Sequence, residues 1–332
     1  MMLVMGHAAR IIFCLLHGGS HMRNRITEML KIRHPIALGG MAGVTDAPLV
    51  AAVSEAGGLG TLGAFKETAE SLQRQIRRLH TLTQNPFAVN VPLVVPQAPE
   101  LISVVLENRV PVVVTAAGNP ATYTRRLLDA GIQVLHVVPC VDQARRAEDA
   151  GVNAVIAEGC ESGGFGSPFE IGTIALVPQV VDAVKIPVLA AGGIADARGF
   201  AACLILGAEG ASVGTAFLLT KEARRVGSAW RREMLEAGDT STKIAARGVA
   251  PFRMLINSCS KPFEDKVAAG ASRRDIVGEM IDTDWSGDQD AVFTCGQGVG
   301  LLHEVRTVKE VIDEFVNGAE SLFRSMCPKE TP

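Results

Sequence analysis

The sequence lacks the clustered cysteines and histidines that hold metal ions in proteins. Its seven cysteines are scattered, no two of them form a C-x-x-C pair, and no H-E-x-x-H motif occurs. The only histidines spaced four apart are His17 and His21, close to the N-terminus. Because zinc sites need a closer and more regular spacing of ligands, no metal centre is predicted. An odd number of scattered cysteines is typical of a reducing compartment, so a cytoplasmic location is expected.

Strong charge and long apolar runs are lacking as well. The formal net charge is −3 and no extended basic run occurs, so the sequence argues against a nucleic-acid partner. The apolar run at residues 11–16 is too short to cross a bilayer, and no membrane partner is expected. Residues 19–22 read Gly-Ser-His-Met and resemble the remnant of a cleaved tag. Residues 1–21 are therefore predicted to be a tag-like or disordered leader outside the fold.

Aromatic residues make up only 5% of the chain, whereas the hydrophobic fraction is 48%. From residue 35 onward, short apolar runs alternate with longer amphipathic segments. Eight of the short runs are predicted to be strands: residues 36–38, 59–62, 87–91, 110–115, 134–138, 154–157, 188–191 and 211–214. These runs lack strict alternation of apolar and polar residues, which indicates a parallel sheet buried on both faces.

Seven helices are predicted between the strands: residues 47–56, 68–81, 98–108, 120–130, 141–150, 174–184 and 197–206. Several of them end at glycines that tolerate a left-handed cap: Gly57, Gly131, Gly151 and Gly207. Eight evenly spaced repeats of strand and helix favour an α/β fold of the (β/α)8 TIM barrel type. A doubly wound sheet is the alternative.

The pattern changes after the eighth strand. Residues 221–290 are more polar and carry charged segments without a strong strand signal, so a mostly helical insertion is predicted. Residues 308–324 form an amphipathic segment that would supply the eighth barrel helix. The predicted domains are a barrel made of residues 22–220 and 296–325, to which the cofactor inferred below is assigned, and a helical insertion or lid made of residues 221–295.

The loops that follow the strands should carry the chemistry, because barrels bind ligands at the carboxyl ends of their strands. Residues 157–167 interrupt the apolar pattern with small, flexible and ionisable residues after the sixth strand. Gly192-Gly193 and Gly214-Thr215 follow the seventh and eighth strands, where main-chain N–H groups form the usual phosphate site of a barrel. A phosphate site beside a glycine-lined mouth suits FMN as the simplest cofactor. Ordinary glycine-rich turns are the alternative interpretation.

Two further loops offer groups to a flat cofactor ring. Main-chain groups of Gly40 and Met41 follow the first strand and are predicted to meet the ring edge. Asn90, at the end of the third strand, offers a bidentate amide. The alternative for Asn90 is a strand-end residue that ties down its own loop.

A series of short motifs follows in order along the predicted barrel. The motifs are residues 25–31, 34–36, 39–41, 55–60, 86–90, 117–120, 155–159, 190–196 and 213–215, with a further matching stretch at residues 294–300. The series resembles the FMN-dependent barrel family of nitronate monooxygenases (2-nitropropane dioxygenases) and bacterial enoyl-acyl-carrier-protein reductase II. It is closer to the reductase branch, chiefly in residues 155–159 and 190–196.

This resemblance implies a set of FMN contacts. They are Gly40, Met41, Asn90, Glu158, Gly163, Gly164, Gly192, Gly193, Gly214 and Thr215. It also implies NAD(P)H as co-substrate, a small-molecule or acyl-thioester substrate, and a homodimer. A second resemblance, of residues 41–46 to tRNA dihydrouridine synthases, is interpreted as a shared flavin loop, because no Asn-x-x-Cys-Pro motif occurs.

One position departs from the family pattern. Both branches place a histidine, the expected acid or base, where this chain has Phe165. Phenylalanine cannot exchange a proton, so any acid–base help must come from another group. The candidates by motif position are Cys160, Glu161, Ser162, Cys295 and His303.

The expected activity is the NAD(P)H-dependent reduction of an activated C=C bond. The first alternative is the oxidation of alkyl nitronates with O2. The second alternative is a flavin-binding homologue whose activity is changed or lost, and Phe165 is the residue that motivates it.

Overall fold

The computed structural model describes residues 22–282 and 291–326. The predicted leader, together with Cys14 and Cys327, lies outside the described residues. Within the described ranges, no helix has both the length and the apolar content that crossing a bilayer requires. The same ranges contain no group of three or more His, Cys, Asp or Glu side chains that could hold a metal ion.

Eight parallel strands form the central sheet. They are β1 (Ile36–Leu38), β2 (Gly60–Gly63), β3 (Phe87–Pro92), β4 (Val112–Ala116), β5 (Gln133–Val138), β6 (Ala154–Glu158), β8 (Val188–Ala191) and β9 (Gly210–Val213), while β7 (Gly164–Phe165) lies outside this sheet. Their order is β1-β9-β8-β6-β5-β4-β3-β2. The end strands also meet, since Leu38 N–H donates to Leu59 O and Leu59 N–H donates to Ile36 O, both at 2.9 Å. The sheet closes on itself, so the predicted barrel is confirmed and the doubly wound alternative is wrong.

Helices follow the barrel strands as the sequence predicts. The first nine helices are α1 (Arg25–Leu30), α2 (Ala47–Glu55), α3 (Ala69–Leu82), α4 (Ala98–Glu107), α5 (Thr124–Asp129), α6 (Val141–Asp149), α7 (Thr173–Ala183), α8 (Ala197–Ile205) and α9 (Thr215–Leu218). The four predicted glycine stops, at positions 57, 131, 151 and 207, have φ values between 78° and 99°. That left-handed conformation is the one that glycine adopts without strain, and it ends each helix where the sequence indicated.

The helix predicted over residues 120–130 is interrupted. A 3-10 turn over Pro120–Thr122 comes first, and Tyr123 separates it from α5 with a φ of −127°. Asn119 begins the turn by accepting a hydrogen bond from the N–H of Ala121 at 3.1 Å. The segment is therefore two short turns of helix rather than one continuous helix.

Helix α1 covers the end of the barrel at the amino ends of the strands. Its Ile26 and Leu30 are buried in the same cluster as the barrel interior. Arg25 Nε donates to the carboxylate of Glu209 at 2.9 Å, and Glu209 is only 1% exposed. The buried carboxylate is thus compensated by a paired guanidinium, which a buried charge requires. The cavity described below opens at the opposite end, at the carboxyl ends of the strands.

The segment after α9 contains strands that the sequence did not reveal. Its elements are α10 (Ser228–Glu236), β10 (Thr242–Ala245), β11 (Phe252–Leu255), α11 (Lys261–Ala268) and α12 (Arg273–Asp282). Besides its three helices the segment has two short strands: β10 and β11 pair antiparallel, and β11 also pairs with β7. Each of the two strands spans only four residues, too few for a clear periodic signal.

The last helix, α13 (Val308–Met326), packs against α8 and α2. Its Val311, Phe315 and Ala319 are buried, and the Phe315 ring lies 6.0 Å from that of Phe200 on α8. These apolar residues recur every four residues, as on the inner face of an amphipathic helix. The prediction that this segment supplies the eighth barrel helix is confirmed.

Candidate active site

A large cavity opens at the carboxyl ends of the barrel strands. Its volume is about 1510 Å³, which exceeds the roughly 300–1,000 Å³ of most ligand pockets. The predicted site residues that line it are Gly40, Met41, Asn90, Glu158, Ser162, Gly163, Gly164, Phe165, Gly192, Gly193, Gly214, Thr215 and Cys295. The structure therefore brings together residues from six separate stretches of the chain, with space for more than one ligand.

Backbone donors collect at the ends of β8 and β9. Within the described residues, no internal hydrogen bond uses the main-chain N–H of Gly192, Gly193, Gly214 or Thr215. The hydroxyl of Thr215 accepts a hydrogen bond from the N–H of Gly296 at 2.8 Å, which ties the chain after the insertion to this edge. Unpaired N–H groups that line a cavity are ready donors for an anion.

Some of the predicted glycines are required by the packing of the chain itself. A Cβ atom at Gly40 would lie 2.5 Å from Cβ of Asn90, and one at Gly163 would lie 2.5 Å from the carbonyl carbon of Cys295. Asn90 and Cys295 could not keep their positions beside larger residues. Glycine at these two positions therefore supports the shape of the cavity without identifying its ligand.

Asn90 presents its side chain to the cavity. Its main-chain carbonyl accepts from the N–H of Ala64 at 2.9 Å, but no hydrogen bond among the described residues uses the Asn90 amide. A side chain that tied down its own loop would show such a bond. The amide is thus available to a ligand.

Glu158 places a carboxyl group at the end of β6, on the cavity wall. Burial raises the pKa of Glu158 to about 7 and outweighs the opposing effect of the hydrogen bond with Ser162. Removal from water disfavours the charged form of a carboxyl group, so such a shift is expected where no cation compensates. At neutral pH the group is close to half protonated and can either donate or accept a proton.

Phe165 lies in a cluster of aromatic rings at the cavity mouth. Its ring centroid is 5.8 Å from that of Phe65 and 5.9 Å from that of Phe252, and Phe252 in turn contacts Phe263 at 4.9 Å. The pairing of β7 with β11 sets Phe165 opposite Phe252. Tilted and edge-on rings at these distances stabilise each other. At the position where the family has a histidine, Phe165 thus makes an apolar contact between the loop after β6 and the insertion.

Two of the catalytic candidates, Cys160 and Glu161, do not line the cavity. Both carboxylate oxygens of Glu161 accept from the N–H of Thr173 at 2.9 Å, so Glu161 caps the start of α7. The Cys160 carbonyl accepts from Arg253 Nε at 3.0 Å. Burial, followed by the nearby Glu161 carboxylate, raises the pKa of the Cys160 thiol, which disfavours the reactive thiolate. Both residues hold the loop in place.

The remaining candidates differ in position. Ser162 lines the cavity and shares a hydrogen bond with Glu158. Cys295 also lines it, but burial raises the pKa of its thiol, so the thiol stays protonated. His303 is exposed and does not line the cavity.

Replacing Glu161 with alanine should lower the stability of the fold. The N-terminal N–H groups of α7 would lose their carboxylate acceptor, which costs about 1–2 kcal/mol for a helix cap. Urea unfolding measures the change, and Glu107→Ala, at an exposed position on α4, is the matched control. Unchanged stability combined with a loss of turnover would instead make Glu161 part of the catalytic machinery.

The cavity contains residues that the sequence did not indicate. Phe65 lines it beside Phe165, and Arg273, Arg274 and Val277 of α12 line its outer wall. Phe65 comes shortly after the second predicted strand, residues 59–62, so its place at the carboxyl end of a barrel strand could have been predicted from the sequence. The residues of α12 come from the insertion, whose placement over the barrel depends on contacts distant in sequence.

Comparisons with known proteins agree with this architecture. The family model of nitronate monooxygenase matches residues 23–101 and 96–318. A probable nitronate monooxygenase of Staphylococcus aureus (strain N315) is 34% identical over 300 residues, which cover 76% of this chain and 79% of that protein.

Two solved structures are similar over most of the chain. FabK from Thermotoga maritima is 37% identical with a TM-score of 0.82, covering 92% of this chain and 98% of FabK. A nitroalkane oxidase from Streptomyces ansochromogenes is 27% identical with a TM-score of 0.74, covering 91% of this chain and 99% of that protein. The predicted family resemblance is confirmed.

Proposed function

This chain belongs to the nitronate monooxygenase family, and on that premise we propose that it is an FMN-dependent reductase that uses NAD(P)H to reduce an activated C=C bond. The observation that carries this choice within the family is the higher identity to FabK than to the nitroalkane oxidase. FabK is an enoyl-acyl-carrier-protein reductase II. The proposed substrate class is therefore an enoyl thioester or a related electron-poor alkene.

The residues of the cavity fit FMN. The unpaired N–H groups of Gly192, Gly193, Gly214 and Thr215 suit its phosphate, and the unused amide of Asn90 suits the polar edge of its ring. Bound FMN would supply hydride transfer between the nicotinamide and the acceptor. The volume of the cavity leaves room for a second ligand beside the cofactor.

Glu158 is the proposed source of the proton in this reaction. Reduction of a C=C bond adds two hydrogens, one of which arrives as a proton. Phe165 cannot supply it, and the Cys295 thiol is held protonated by burial. Glu158 lines the cavity with a pKa of about 7, close to the value that suits a general acid at neutral pH. Ser162, through its hydrogen bond to Glu158, positions the carboxyl group.

The visible spectrum tests the proposed function. The purified protein should show the visible absorption band of oxidised flavin. Anaerobic NADH or NADPH should bleach this band, because reduced flavin lacks it. A subsequent enoyl thioester should restore the absorbance. A flavin spectrum that neither nicotinamide changes would contradict the reductase and favour a homologue with lost or changed activity.

Nitronate oxidation is the second candidate, and it is favoured by the similarity to the probable nitronate monooxygenase of Staphylococcus aureus. Oxygen consumption on addition of an alkyl nitronate, without any nicotinamide, would support it. The two activities are separable because the reductase needs reduced nicotinamide and the oxidase needs O2. Rapid oxygen uptake together with no enoyl-thioester reduction would replace the proposed function by this one.

A further inference from the structure

We propose that Arg273 and Arg274 form a binding site for the phosphate groups of the ligand that enters the cavity beside the cofactor. The proposal rests on the proposed function, which requires such a ligand. Two sources carry the same chemistry: the diphosphate of NAD(P)H and the phosphates of a phosphopantetheine thioester such as an acyl-coenzyme A. Nothing else in the described cavity wall has two adjacent cationic side chains.

The position of the two arginines supports this site. Both lie in the first turn of α12, are exposed, and line the same cavity as Glu158 and Asn90. Val277, one turn further along α12, also lines the cavity and adds an apolar surface. A ligand with a charged phosphate outside and an apolar or aromatic part inside would match this wall.

The arginines are available for a ligand. Among the described residues, no ion pair includes either of them. Arg273 donates only a long bond of 3.4 Å to the carbonyl of Val249. The carboxylate of Asp275, the next residue along α12, accepts from the N–H and the hydroxyl of Ser272 at 2.8 and 2.7 Å. Guanidinium groups free of such pairing bind phosphate in a bidentate manner.

Another arginine of the insertion, which does not line the cavity, shows the contrast. Arg247 donates to both carboxylate oxygens of Glu170, at 2.8 and 3.1 Å, and so joins the insertion to the loop after β7. Its charge is already compensated within the chain. The charged side chains on the cavity wall include Arg146, Asp149 and Glu158 besides the two arginines, but only Arg273 and Arg274 are adjacent and of the same sign. Two adjacent positive charges favour an anionic ligand over a neutral one.

The double variant R273Q/R274Q tests the site, with R77Q/R78Q as matched control, since Arg77 and Arg78 are adjacent and exposed on α3, away from the cavity. Calorimetry measures the Kd of coenzyme A for the flavin-loaded protein, and the Kd of NADH for the same protein after its flavin has been reduced anaerobically with dithionite, so that no hydride transfer adds heat. We expect about a tenfold weaker Kd for one or both ligands in the first variant and no change in the control. If only coenzyme A binds more weakly, the two arginines bind the phosphates of the acceptor. If only NADH binds more weakly, they bind the diphosphate of the hydride donor.

Steady-state kinetics give an independent readout. The KM for crotonyl-coenzyme A should rise about tenfold in R273Q/R274Q, whereas the KM for the N-acetylcysteamine thioester, which has no phosphate, should not change. Kd and KM values for both phosphorylated ligands within twofold of the control would overturn the proposal. That failure is distinct from a failure of the proposed function, which would show as an absence of bleaching in the parent protein. A loss of stability without a change in Kd would assign the arginines to contacts within the chain.

Discussion

Replacing Glu158 with glutamine should slow the reduction of an enoyl thioester by about 10²- to 10⁴-fold, the range expected when a general acid is removed. Flavin reduction by NADH needs no proton from this group and should keep its rate. Stopped-flow measurement of the two half-reactions separates the effects. Equal loss in both half-reactions would mean that Glu158 acts through the cofactor rather than as a proton donor.

The pH dependence follows from the pKa of about 7 at Glu158. A proton donor works only in its protonated form, so the turnover of the parent protein should fall as the pH rises through about 7. The glutamine variant should lack this descending limb of the pH profile, that is, the fall in turnover as the pH rises through about 7. Ser162→Ala removes a hydrogen bond that lowers the pKa of Glu158, so the limb should move to higher pH in that variant. A profile that is identical in all three proteins would exclude the assignment.

Loss of folding would not explain a slow glutamine variant. The pKa of Glu158 is raised in the folded state, so the unfolded chain loses this proton at a lower pH than the folded protein does. The free energy of unfolding therefore falls as the pH rises from about 4.5, the ordinary pKa of the group, to about 7. A neutral glutamine avoids that cost above pH 7. The variant should therefore be at least as stable as the parent at pH 8, which thermal unfolding measures.

Phe165→His offers a further check on the same role. It restores the histidine that the family resemblance places at this position, at the mouth of the same cavity. Combined with Glu158→Gln, it should recover part of the lost rate, because a second acid would face the acceptor. It should also weaken the contacts of Phe165 with Phe65 and Phe252. No recovery together with normal flavin reduction would place the acceptor away from position 165.

Replacing Gly193 with aspartate should remove the cofactor. The new carboxylate would stand where the unpaired N–H groups are proposed to bind phosphate, and two like charges about 4 Å apart repel by several kcal/mol near a protein surface. We expect FMN affinity to fall by about 10²-fold or more. The ratio of flavin to protein absorbance, followed by titration of the apoprotein with FMN, measures the loss.

The matched control is Gly193→Asn, which has the same size without the charge. Gly193 has a φ of 72°, and a Cβ atom there would lie 3.1 Å from Cβ of Glu161, so both variants carry the same steric demand. Asparagine and aspartate both tolerate the left-handed conformation better than other residues do. The asparagine variant should hold more FMN than the aspartate variant. Stoichiometric FMN in Gly193→Asp would refute the placement of the phosphate.

The sequence by itself determined the barrel. Apolar runs and glycine stops are local signals, and they marked the eight strands and the ends of helices such as α6 at Gly151. Short motifs at the strand ends also indicated the loops that line the cavity, because a barrel brings the carboxyl ends of all strands to one face. Gly192, Gly193 and Asn90 were identified in this way.

Only the tertiary structure decided which side chains of those loops face the cavity. Adjacent residues on one loop point in different directions: Glu161 caps α7, whereas Ser162 lines the cavity. The pairing of β7 with β11 and the placement of α12 join segments about 90 or more residues apart. No local pattern encodes such contacts, since they depend on which surfaces can bury each other once the chain has folded. Contacts between distant segments produce the aromatic surroundings of Phe165, the raised pKa of Glu158 and the position of Arg273 and Arg274 on the cavity wall.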